Sequence, residues 1–143
     1  MFPGNKFERK GGSMTIDQLS ALAASMKAKG PALAKASVDE QFKRRPELLK
    51  KYSPTGYDKS VSDAEHTVQV LAEAVAAESL GAFTGYITWL AKILVRVNVP
   101  VSDFVEHLEL LEKVSRSEFN TEESGVISKF IKAGISAAKD TGK

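Results

Sequence analysis

Leu80, Phe83, Ile87, Leu90, Leu94 and Val97 recur at intervals of 3, 4, 3, 4 and 3 residues. Only a helix places such positions on one continuous stripe, so this segment cannot be a strand. Tyr86, Trp89 and Ile93 widen the stripe until the helix is apolar over most of its circumference. The spacing therefore predicts a central helix over 80–97, with a core built on Phe83, Ile87, Leu90 and Leu94. Val61, Ala64, Val68, Leu71 and Val75 repeat the 3, 4 rhythm and predict a helix over 59–78.

The remaining elements are organised around these two. Thr15-Ile-Asp-Gln18 is a capping box that opens a helix carrying Leu19, Leu22, Ala23 and Met26, ending at Gly30. Pro31 is suited to a helix start and predicts a second helix through Leu33, Val38 and Phe42 to Arg44-Arg45. Pro46 begins a short helix through Leu48, Leu49 and Tyr52, and Ser53-Pro-Thr-Gly56 reads as a loop. Asn98-Val-Pro100 ends the central helix. Ser102 is the expected cap of the next, which turns Phe104, Leu108, Leu111 and Val114 inward. Thr121-Glu-Glu starts the last, whose buried face is Ile127, Phe130, Ile131 and Ile135. No segment alternates with a period of two. The fold class is all-α, with six main helices plus one short helix.

Residues 1–13 read differently. They contain Pro3, Gly4, Gly11 and Gly12, lack an apolar period, and hold the whole net charge of +2 of the 143-residue chain. We read them as a flexible leader or an expression-derived tail, and 14–143 as a single helical domain. A secretory signal needs an apolar stretch of about 7 residues or more, and none is present there. No run approaches the roughly 20 apolar residues of a membrane span. The balanced charge offers no footprint for nucleic acid. These features point to a cytoplasmic protein without a membrane or nucleic-acid partner.

The chemistry must come from a short list. The absence of cysteine removes thiolate metal sites, cysteine nucleophiles and thioether-linked cofactors, and two histidines, His66 and His107, cannot build a multi-histidine metal site. There is no glycine-rich phosphate loop, and the acidic pairs are explained by solvated helix faces. Nothing anchors a catalytic reading, so we expect no enzyme and no metal. Asp63 and His66 are three residues apart on one helix and share a face. They are either a polar pair at a ligand pocket or an ordinary capping acid beside a surface histidine. His107, between Glu106 and Glu109, reads as surface. Tyr86 and Trp89 read as core, as interface, or as the wall of a ligand pocket.

The stretch KSVSDAEHTVQVLAEAVAAESLGAFTGYITWLAKILVRVNVPVSDFVEHLELLEKV, residues 59–114, resembles the central helices of the phycobilisome-type globins. The resemblance implies a globin-like bundle. It sets Asp63 on the aspartate that bonds the pyrrole nitrogens of a bilin, and Tyr86 on the tyrosine opening the following helix. Ser60 falls where the thioether cysteine would be, and Ser62 where an arginine meets a propionate. Without that cysteine the chain is similar instead to the globins found beside bilin biosynthesis genes and to non-haem globin sensor domains. The resemblance implies a bilin such as biliverdin held without a covalent bond for carrying or sensing. Asp63 would serve its ring N–H groups, with His66 and Ser60 close by. Lys59 and Arg45 would serve its propionates, and Tyr86 and Trp89 would form its flat walls. Haem would need a histidine on 80–97, and that segment has none. The alternative is a sensor or interaction module, without a ligand or with an apolar one, that acts as a homodimer through its helices.

Overall fold

The computed structural model describes residues 14–142, and the leader 1–13 lies outside the described residues. These residues form five helices and no strand: α1 (Ile16–Arg44), α2 (Glu47–Ala76), α3 (Leu80–Arg96), α4 (Val101–Arg116) and α5 (Thr121–Thr141). The predicted all-α class holds. The predicted partition of the first half does not.

The helix break expected at Gly30-Pro31 is absent. α1 runs 29 residues through both, a rod of about 43 Å at 1.5 Å per residue. Gly and Pro weaken a helix interior by about 1 and 3 kcal/mol. The burial of Leu33, Ala34, Val38 and Phe42 beyond the proline outweighs this. The short helix at Pro46 and the loop at Ser53–Gly56 are likewise absorbed, because α2 runs unbroken for 30 residues. Gly56 is needed there: a Cβ on it would lie 2.5 Å from the Cβ of Tyr52.

The helix ends follow local chemistry. Thr15 and Gln18 exchange both bonds of the predicted capping box, Gln18 N donating to Thr15 Oγ1 at 3.1 Å and Thr15 N to Gln18 Oε1 at 2.8 Å. Ser79 caps α3 by accepting from Ala82 N at 3.0 Å. α4 begins one residue before the expected cap, with Pro100 in the cap position and Ser102 inside the first turn. α5 starts at Thr121 as predicted, but its cap is Asn120, which forms a capping box with Glu123. Glu78 (φ 54) and Asn98 (φ 66) turn the chain after α2 and α3 in the left-handed conformation common just past a helix end. At Asn98, the following Val99 N–H closes the motif on the Leu94 carbonyl at 2.9 Å.

The short Arg45-Pro46 connection folds α1 and α2 into a hairpin packed along its length, and α5 packs against α3 and α4. Two apolar clusters result. The larger contains Phe83, Ile87, Leu108, Leu111, Ile127 and Ile131, all buried. The smaller contains Ala34, Val38, Phe42, Leu48 and Ala64. Phe83 and Ile87 are fully buried and Leu90 nearly so, as the stripe predicts, while Leu94 is only partly buried.

Candidate functional site

A cavity of about 380 Å³ lies between the two clusters, with Phe42, Leu48 and Ala64 of the smaller on one side and Leu90 and Phe104 of the larger on the other. Every helix except α5 contributes. Gln41 and Phe42 come from α1, Leu90 and Leu94 from α3, and Val97 from the cap at its end. Asp103, Phe104 and His107 come from α4. The first half of α2 supplies Leu48, Tyr52 and Gly56, then Lys59, Ser60, Asp63, Ala64 and Thr67. The positions 52, 56, 59, 60, 63, 64 and 67 are one helical face, brought to the cavity because α2 continues through the segment expected to be a loop.

Three of the seven residues singled out from the sequence line this cavity: Lys59, Ser60 and Asp63. Lys59 is exposed and Ser60 half-buried, its hydroxyl donating to the Gly56 carbonyl at 2.8 Å. Asp63 is half-buried, and its carboxylate has neither a hydrogen bond nor an ion pair among the described residues. Desolvation holds its carboxyl above the usual carboxylate range, only partly countered by Lys59 and His66.

The other four lie elsewhere. Arg45 is held beyond the wall by three carboxylates, its Nη1 donating to Asp103 Oδ1 at 2.7 Å and to Glu106 Oε1 at 3.0 Å, and its Nε to Glu47 Oε2 at 3.3 Å. His66, Tyr86 and Trp89 form a separate outward cluster. The rings of His66 and Tyr86 meet edge-on with centroids 5.4 Å apart, and Trp89 lies 5.9 Å from Tyr86 and is 54% exposed. This cluster meets the cavity wall at Thr67: the Thr67 hydroxyl donates to the Asp63 carbonyl at 2.9 Å and lies 3.1 Å from the Tyr86 hydroxyl.

His107 is the residue whose place differs most from expectation. It is not a surface histidine: it lines the cavity, with Nε2 3.1 Å from Ser37 Oγ, and desolvation pushes its pKa down to about 4. The signal was present in the sequence. Phe104, His107, Leu108 and Leu111 are spaced as one inward face, and the neighbouring glutamates obscured it.

Asp103 organises the polar wall. Its carboxylate accepts from Arg45, from the Tyr52 hydroxyl at 2.6 Å and from Lys51 Nζ at 3.5 Å. Burial alone would raise its pKa; the Tyr52 and Arg45 bonds outweigh that and hold it below the usual carboxylate range. Gln41 Nε2 completes the wall, donating to the Asp103 carbonyl and to Glu106 Oε1, both at 2.9 Å. No cluster of three or more His, Asp or Glu suited to a metal occurs among the described residues. Nor is any of their helices long and apolar enough to cross a membrane.

The arrangement can enclose a small apolar molecule and fix it by a few polar groups, as ligand pockets of about 300–1,000 Å³ do. Neither a protein-family profile nor a curated protein matches this chain.

Proposed function

We propose that the chain is a non-enzymatic, cytoplasmic binding protein of globin-like architecture whose ligand occupies the cavity between α2, α3 and α4. The observation that supports this is Asp63, a half-buried carboxylate on the cavity wall with no hydrogen bond or ion pair among the described residues. An unpaired carboxylate beside apolar surface is costly in the empty protein and favours a ligand that brings it a donor. A linear tetrapyrrole held without a covalent bond meets that need through its ring N–H groups, with Lys59 placed for a propionate.

The experiment is titration with biliverdin, followed by absorption. A red-shifted, sharpened band is expected. Asp63→Ala should weaken binding about tenfold to a hundredfold, the worth of about 1.5–3 kcal/mol for a charged hydrogen bond. An unchanged spectrum overturns the bilin reading.

A second reading is supported by the outward face of α3. Gly81, Gly85 and Trp89 share it; nothing lies within 4 Å of where either glycine's Cβ would be, and Trp89 is 54% exposed. A sensor or interaction module dimerising through this face predicts a dimer mass in light scattering that Trp89→Lys reduces to a monomer.

A further inference from the structure

The polar lining of the cavity is one-sided, and resting on the ligand-site reading above, this sidedness specifies the ligand's chemistry. A hydroxyl has one hydrogen to give and an amide nitrogen two. The Ser60 hydrogen goes to the Gly56 carbonyl, that of Thr67 to the Asp63 carbonyl, and that of Tyr52 to the Asp103 carboxylate. Both hydrogens of Gln41 Nε2 are used, on the Asp103 carbonyl and on Glu106. Every neutral side-chain donor facing the cavity is therefore committed to protein.

His107 extends the same bookkeeping. With the Ser37 hydrogen on the Ala34 carbonyl 3.0 Å away, the hydrogen in the 3.1 Å contact of Ser37 Oγ with His107 comes from Nε2. On that assignment the neutral imidazole is the Nε2–H form and Nδ1 carries a bare lone pair. Nδ1 has no protein partner among the described residues. No fully occluded side-chain nitrogen or oxygen there is left without one, so Nδ1 is not fully occluded, and His107 lines the cavity. Gln41 Oε1 and the Asp63 carboxylate stand in the same position. What the cavity presents is a set of acceptors, with the exposed Lys59 ammonium as its one remaining donor.

We infer that the cavity takes an apolar ligand that supplies hydrogen-bond donors, a cationic N–H group to Asp63 and a second N–H or O–H to His107 Nδ1. A ligand ending in a carboxylate or carbonyl would set acceptor against acceptor at both positions. A protonated bilin and a simple arylalkyl amine share the required chemistry, and the experiment separates them.

Phenylbutylamine and phenylbutyrate have the same apolar body and opposite charge, and calorimetry on the wild-type protein compares them directly with biliverdin. The amine should bind about tenfold or more tighter than the carboxylate. Its binding should fall about tenfold or more in Asp63→Ala, the loss of the charged hydrogen bond made by its one donor group, the ammonium. Biliverdin, which carries several N–H groups, should lose about two- to tenfold in His107→Leu if it is the occupant, and should not bind the wild-type protein if the amine alone enters. Nitrogen NMR of the imidazole in the wild-type protein should show Nε2 protonated and Nδ1 bare at neutral pH. Equal binding of amine and carboxylate, or the opposite tautomer, overturns this inference while leaving the cavity a ligand site. No binding of any of the three probes overturns both.

Discussion

The two halves of α3 show what distinguishes packed structure from a site in this protein. Over its first half, Phe83 and Ile87 are fully buried and press so closely on α5 that Gly134 is required. A Cβ there would lie 2.7 Å from Phe83 Cε2 and 3.2 Å from Ile87 Cγ1. Over its second half the same stripe continues in Leu90 and Leu94 and on to Val97 at the helix cap, yet these side chains face about 380 Å³ of open volume. Periodicity is identical in both halves. What differs is the partner: α5 fills the groove beside the first half, while the polar wall around Asp103 keeps α1, α2 and α4 from closing on the second.

The strongest way to break this contrast is to truncate one residue in each half. Phe83→Ala should cost about 3–5 kcal/mol, because a close-packed site cannot collapse onto the space left behind. Leu94→Ala, which enlarges an existing opening, should cost about 1 kcal/mol, nearer to a surface change than to a core one. Denaturant unfolding of the two variants measures both. Equal losses would mean that the second half of α3 is as tightly packed as the first.

Acid should also act on the open half first. His107 in the folded protein takes a proton only near pH 4, whereas in the unfolded chain it does so near 6.5. Between those values the unfolded state binds more protons, so acid favours unfolding. The stability in question is complete above about pH 6.5 and is lost as pH falls toward 4, amounting to about 3 kcal/mol. Asp63 opposes it, since its raised pKa makes protonation easier in the folded state. Asp103, with a lowered pKa, adds a loss at still lower pH. His107→Leu should flatten the decline between pH 6.5 and 4, as read by thermal unfolding across that range. A decline of the same size in the variant would place the responsible group outside the cavity.

The packed half was the more legible in the sequence, for a physical reason. Burial against α5 needs only apolar side chains at helical spacing, and that is what periodicity reports. The open half depends on tertiary relations that spacing cannot encode. Pro31 and the Ser53–Gly56 segment carry strong local signals for helix ends, and packing between α1 and α2 overrides both. Asp63 was found because it shares a helix face with His66, and Ser60 because the resemblance set it where a thioether cysteine would be. His107 was missed because the glutamates beside it suggested solvent, although its spacing from Phe104 and Leu108 did not. Arg45 was singled out by its charge, and nothing local reveals that Asp103 and Glu106, far along the chain, already hold it.

The smallest expected effect sharpens the contrast most, because one substitution should have opposite signs at two glycines. In a helix interior Ala is favoured over Gly by about 1 kcal/mol. At Gly134 the added methyl meets the Phe83 ring, whose own position is fixed by full burial, so overpacking of about 1–3 kcal/mol exceeds that gain and Gly134→Ala should destabilise. Gly30 lies on the seam of α1 and α2, and a Cβ there would sit 3.6 Å from Val68 Cγ1, an ordinary contact beside Thr67 of the cavity wall. Nothing opposes the helix preference at that site, so Gly30→Ala should stabilise by about 0.5–1 kcal/mol. Paired urea titrations of the two variants, with equal slopes, measure the difference in sign. If Gly30→Ala destabilised as Gly134→Ala does, the seam next to the cavity would be as tightly packed as the α3–α5 contact, and slack would not be what separates the two halves.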